Sequence, residues 1–184
     1  MEYRKTVALK DGRTCVLRNA TEEDAPAMMD MFVLTHGQTE FLTTYADEVT
    51  FTLDGEREYP RKHRENPREV VLMAEVDGRI VGSAGVTCVR DVDKTRHRAS
   101  FGISIDEAWW GFGMGRALTA ACIECARAAG YVQLELGVVA DTVRAVSLYE
   151  SVGFVEYGRN PKGFLTRDGR YQENLHMRLE LCEA

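Results

Sequence analysis

The sequence predicts one α/β domain, a mixed sheet of about seven strands flanked by about four helices. Three observations predict it. The chain has 184 residues, the length of one ordinary domain. Its 45% hydrophobic and 28% charged residues can build one sizeable core and lie far from the disordered range. Apolar periodicity switches between strand-like and helix-like in the order β-α-α-β-β-β-α-β-α-β-β, with no internal repeat, low-complexity stretch or clear linker.

The elements follow in order. Thr6 to Leu9 and Thr14 to Arg18 flank the turn sequence Lys10-Asp11-Gly12-Arg13 and read as a hairpin. Thr21-Glu22-Glu23-Asp24 reads as a helix start, with Thr21 placed to accept from the Asp24 amide and acids in the first turn. Ala27, Met28, Met31, Phe32 and Leu34 supply the apolar face that follows. Residues 36–50 are mostly loop. A second helix covers about Leu53 to Arg64, with Pro67 beyond it. Val70 to Val76 and Arg79 to Val89 are strands joined at Asp77-Gly78, a strong hairpin signal. Arg90 to Arg98 is a charged connection and Ala99 to Ile105 a strand. Met114 to Ala129 has helical periodicity and ends at Gly130. Val132 to Val139 is a strand, Thr142 to Val152 a short helix closed by Gly153, and Phe154 to Tyr157 the start of another strand. The last hairpin turns at Arg167-Asp168-Gly169-Arg170 into Tyr171 to Leu181.

Composition excludes several function classes. A net charge of −6 is a poor basis for nucleic-acid binding, which rests on phosphate neutralisation by Lys and Arg. No apolar run approaches the roughly 20 residues that span a bilayer. No signal region follows the N-terminus, so a cytoplasmic protein is expected. Five scattered cysteines, Cys15, Cys88, Cys122, Cys125 and Cys182, make no disulfide framework. Cys122 and Cys125 form a Cys-x-x-Cys, but in mid-helix on an apolar face rather than at a helix N-terminus where a thiol is activated. His36, His63, His97 and His176 show no ligand spacing, and no metal is expected.

The sharpest local signal is Trp110-Gly111-Phe112-Gly113-Met114-Gly115-Arg116, between a strand and a helix. Glycines at alternate positions let the backbone approach a ligand closely. The helix that opens there has unpaired amides whose partial positive charge suits a pyrophosphate, and Arg116 can add a full charge. A tight turn without a ligand is the plainer alternative. A Walker A loop needs Gly-Lys-Ser/Thr where Arg116-Ala117 stands, and a dinucleotide fingerprint needs glycine where Leu118 stands.

These residues resemble the GNAT (Gcn5-related N-acetyltransferase) superfamily. Its pyrophosphate loop reads Gln/Arg-x-x-Gly-x-Gly/Ala, and Trp110 to Gly115 fits that frame with Trp110 in place of Gln or Arg. A second family pattern, Asn-x-x-Ala-x-x-Leu-Tyr-x-x-x-Gly-Phe, is similar to Thr142 through Phe154, with Thr142 for Asn. The resemblance covers about residues 70 to 181. It implies a twisted sheet splayed between the family's fourth and fifth strands, and acetyl-CoA as cosubstrate. Ile103, Ser104 and Ile105 would offer backbone groups to the pantetheine arm. The amides of Gly111, Phe112, Gly113, Met114, Gly115 and Arg116 would hold the pyrophosphate, with Thr142 near the cofactor or the helix start. The acceptor would be a primary amine, in a small molecule or a protein, and a homodimer through the last strands is an expectation of the same kind.

By spacing, Thr142, Ala145, Val146 and Tyr149 share one helix face, which suits a packed aromatic at Tyr149. By resemblance, Tyr149 is the general acid that protonates the departing thiolate. In the ribosomal-protein branch a Glu on the fifth strand serves as base. That position is Gly137 here. Glu135, two residues away on the same strand face, is the named candidate, beside the plainer reading of a solvated charge. Glu40, Glu48, Asp106, His97 and ordered water remain open. A CoA-binding regulatory or sensor module without turnover is the alternative function, motivated by Thr142 and Gly137; the retained Tyr149 argues against it.

Overall fold

The computed structural model describes residues 1–181, so Cys182 lies outside the described residues. Strands β1 (Arg4–Ala8), β2 (Thr14–Asn19), β3 (Val70–Val76), β4 (Arg79–Cys88), β5 (Arg98–Ile105), β6 (Gln133–Val139), β7 (Val155–Leu165) and β8 (Tyr171–Glu180) form one sheet, in the order β1-β2-β3-β4-β5-β6-β8-β7. The expected order of seven strands counts the first hairpin once; its two arms, β1 and β2, pair as that hairpin and bring the sheet to eight. The family's fourth and fifth strands are therefore β5 and β6. Four α-helices flank the sheet: α1 (Ala25–Gln38), α2 (Leu53–Glu65), α3 (Met114–Ala128) and α4 (Val143–Ser151). Among the described residues no helix is long and apolar enough to cross a membrane.

The two faces of the sheet are covered differently. Met114, Leu118, Ala121 and Cys122 of α3 pack on Leu72, Ala84, Phe101, Leu134 and Met177. Met28 and Met31 of α1 pack on Val71, Met73 and Ile80 from the other side. Strand β3 is thus buried on both faces, which explains its unbroken apolar run. The β3–β4 turn is as tight as expected: Asp77 (φ 50°) and Gly78 (φ 77°) both take positive φ, the pattern of a two-residue hairpin. At the entry to α1 the Asp24 carboxylate accepts from the Thr21 backbone N–H (2.8 Å) and from both Arg18 terminal nitrogens (2.7 and 2.8 Å). Strand β7 runs well past Tyr157. Its register shifts between Asn160 and Phe164, around Pro161, which an edge strand tolerates because its outer side needs no donor.

One feature of the topology positions the site. Among the described residues only β5 and β6 pair in parallel, over Arg98–Ser100 with Gln133–Glu135. Beyond Ser100, β5 stays with β4 as far as Ile105, and beyond Glu135, β6 stays with β8 as far as Val139. The sheet therefore opens into a wedge whose closed end is Ser100 and Glu135.

Candidate active site

The open end of the wedge leads into the glycine turn. Gly111 and Gly113 have φ of 86° and 94°, where side-chain-bearing residues are strained, and Gly113 is the left-handed N-cap of α3. The first amides of α3, which follow this turn directly, have no partner within the helix. Gly115 serves another purpose: a Cβ there would stand 3.1 Å from Leu148 Cδ2, so its absence lets α3 approach α4.

The β1–β2 turn braces this loop from behind. Lys10 N–H donates to the Phe112 carbonyl (3.0 Å), and the Arg13 guanidinium lies 3.9 Å from the Trp109 ring centroid. Sequence reading missed both cations, because the turn is about a hundred residues away along the chain and carries no local signal of the contact. Arg116 is turned toward α4, where it donates to Ser151 Oγ (2.8 Å). Asp106, 4% exposed, anchors the approach: it accepts from Gln38 Nε2 (3.0 Å) and the Ala108 amide (3.2 Å).

Ile103, Ser104 and Ile105 lie on the stretch of β5 that pairs with β4 but not with β6, along the wedge. Ser104 Oγ is 3.2 Å from Ser83 Oγ, and the Ile105 carbonyl accepts from Trp110 Nε1 (2.9 Å). Thr142 is the N-cap residue of α4, yet its side chain makes no cap bond and its buried Oγ1 has no partner. An orphaned hydroxyl of that kind is costly unless a ligand pairs with it.

Tyr149 is 6% exposed and packs edge-on against Phe101 and tilted against Phe154, with ring centroids 6.0 and 5.8 Å away. Burial alone pushes its phenol up to about 12. The group keeps its proton at neutral pH, as a proton donor must. Transfer to a thiolate of pKa about 8.5 in water is uphill, and becomes easier when burial raises the thiolate too.

Glu135 lies on the opposite face. Its neighbours Leu134 and Leu136 point into the core shared with Tyr149, so Glu135 and Gly137 point the other way. There a cavity of about 400 Å³ is lined by Thr87, Cys88, Ser100, Glu135, Gly137, Tyr157 and His176. The solvated-charge reading of Glu135 is overturned: it is 9% exposed and held at both oxygens by Arg98, through Nε to Oε1 and Nη2 to Oε2 (2.7 Å). Its hydrogen bonds in turn raise the Arg98 guanidinium. Above Gly137, where a side chain would begin, sits the amide of Asn174, 3.2 Å from the ideal Cβ position. Glu40 and Glu48 line a second cavity, of about 240 Å³, between the loop after α1 and the β7–β8 hairpin.

Residues 34–154 match the acetyltransferase (GNAT) family. The chain belongs to that family. It is similar to the L-amino acid N-acetyltransferase AaaT of Escherichia coli K12, at 27% identity over 88% of this chain and 95% of that protein. Among solved structures it resembles a GNAT acetyltransferase of Streptococcus pneumoniae, with a TM-score of 0.86 and 25% identity over 90% of this chain and 99% of the other. It also shares its fold with a phosphinothricin acetyltransferase of Sinorhizobium meliloti in complex with acetyl-CoA, with a TM-score of 0.80 and 18% identity over 92% and 90% of the two chains. The protein is thus an N-acetyltransferase with the α/β fold of its family.

The thiol pair of this acetyltransferase is structural. Cys122 and Cys125 are both buried, and burial pushes Cys125 up to about 11 and Cys122 well above the usual thiol range. The basic residues of α2 form a solvated face, with Lys62 paired to Glu58 one turn away and Arg64 paired to Glu22 ahead of α1, except His63, which is buried.

Proposed function

We propose that this acetyltransferase moves the acetyl group of acetyl-CoA to the primary amine of a small molecule, with L-amino acids as the acceptor class. The observation that carries the reading is the wedge between β5 and β6, with the buried Tyr149 phenol on one face and a polar cavity on the other. At its open end, the α3 amides and the glycine turn suit a pyrophosphate. Along it, the orphaned Thr142 Oγ1 offers one unmet hydrogen bond. Bound acetyl-CoA supplies an activated acyl carbon. Tyr149, against Phe101 on the core face, then donates its phenolic proton to the leaving sulfur.

The cavity face suits an amino acid. Glu135 and Arg98 together present a carboxylate and a guanidinium at its closed end, the complement of a zwitterion's ammonium and carboxylate. With both its oxygens on Arg98, Glu135 acts here by orienting the ammonium rather than by removing its proton. The similarity to an L-amino acid N-acetyltransferase supports the same class.

The test pairs a binding readout with a turnover readout. At 100 times Kd, acetyl-CoA stabilises by about 2.7 kcal/mol, which raises the melting temperature by roughly 5–10 °C for a chain of this size. Release of CoA thiol is then followed with a panel of L-amino acids. Tyr149→Phe is expected to keep the melting shift and to lose about 10²–10⁴-fold in kcat. Acetyl-CoA binding with no thiol release on any amino acid would reject the acceptor class. An unimpaired Tyr149→Phe enzyme would reject the proton donor.

A further inference from the structure

We propose that His176 is the general base of this acetyltransferase, taking the proton from the acceptor's ammonium group; the inference rests on the acetyl-transfer reading above. Strand β8 alternates Leu175, Met177 and Leu179 into the core under α3 and α4. His176 therefore points to the other face, toward the cavity that Glu135 and Gly137 line. The register sets Gly137 of β6 on one side of it and Gly158 of β7 on the other. Two glycines give the imidazole no side chain directly opposite it on either neighbouring strand; the Asn174 amide lies over Gly137, and the ring itself is exposed at the cavity. Its ring contact is with Tyr157, at 6.1 Å between centroids, and among the described residues no hydrogen bond holds its nitrogens.

The other ionisable groups around the cavity are poorer acceptors. Glu135 on β6 has both oxygens on Arg98, and the Tyr157 hydroxyl lies 3.4 Å from one of them. Burial, then the charge of Glu135, raise the Tyr157 phenol, so it holds its proton. Arg98 on β5 and Arg178 on β8 have no lone pair to offer. Cys88 on β4 must first lose a proton to become a base. A neutral imidazole, by contrast, carries one free lone pair on its unprotonated ring nitrogen.

The proton balance closes. His176 takes one proton from the ammonium and later releases it to solvent. The freed amine attacks the acyl carbon, so the C–N bond forms, the C–S bond breaks, and the nitrogen sheds its second proton to solvent. Tyr149 gives the sulfur its proton and regains one from solvent. One amide, one thiol and one net proton result. No sequence signal marks His176, because its role depends on which residues flank it across two strand pairs.

The experiment is a pH series of kcat and kcat/KM, with and without added imidazole, for the wild type, His176→Ala and His176→Gln. It is run on whichever amine the wild type turns over, so that a wrong acceptor class and a wrong base are read separately. The expected wild-type profile falls on the acid side, as it must when a general base has to be unprotonated to act. Both variants should lose that limb and about 10²-fold or more in kcat at pH 7. The acetyl-CoA melting shift should be unchanged, and imidazole should restore part of the Ala variant's rate. Variants that keep the acid limb, or that change only the amine KM, would overturn the assignment and leave His176 as a cavity wall.

Discussion

The glycine turn makes a prediction of sign as well as size. Gly113 sits at φ 94° and ψ −1°. A methyl group added there would meet only Lys10 Cγ at 3.8 Å and Cε at 4.0 Å, which are ordinary contacts. The cost of Gly113→Ala is therefore all backbone, about 1–2 kcal/mol for an L-residue forced into left-handed space. The stiffer unfolded chain offsets about 0.4–1 kcal/mol of this, so the net loss is about 1 kcal/mol. Gly37, inside α1 with open space around its would-be Cβ, receives the same methyl group with the opposite result. There Ala relieves a helix of glycine and gains up to about 1 kcal/mol. Thermal melts read both: Gly113→Ala should fall by about 2–4 °C and Gly37→Ala should rise by a similar amount. Relief of strain at position 113 must also tilt the loop, so the acetyl-CoA melting shift should shrink in Gly113→Ala and persist in Gly37→Ala. Gly113→Ala as stable as the wild type, with its ligand shift intact, would refute the left-handed turn and the cofactor loop built on it.

Two further outcomes test the scaffold. Against its own burial, hydrogen bonds from Arg18 and then Thr21 hold the Asp24 carboxyl below the usual range. Its stabilisation is therefore full above the unfolded value near about 3.9 and is lost as pH falls through the lower folded value. Asp24→Asn should cost about 1.5–3 kcal/mol by urea unfolding at pH 7, and the gap to the wild type should narrow below about pH 4; a gap independent of pH would contradict the Arg18 assignment. Phe154, 2% exposed, packs against both Phe101 and Tyr149. Phe154→Ala should cost about 3–5 kcal/mol in the same assay, and a loss under about 1 kcal/mol would show that the core relaxes around the cavity.

Much of this protein was legible along the chain. Asp77-Gly78 announced its hairpin, Gly130 its helix end, and the run from Gly111 to Gly115 its turn, because each signal is confined to a few consecutive residues whose dihedrals decide it. The Thr142-to-Phe154 pattern likewise placed Tyr149 on a helix face, and two motifs in order sufficed for the family. Pairing across the sheet was not legible. Nothing near Glu135 in the chain shows that Arg98 holds it, nothing near Phe112 shows that Lys10 donates to it, and nothing near His176 shows glycine on both sides. Local sequence determined the strands, the helices and the glycine turn, since backbone preference and apolar period act over a few residues. Only the tertiary structure decided which polar groups share a cavity and which remain unpaired, since strand order and register follow from burying the whole core at once.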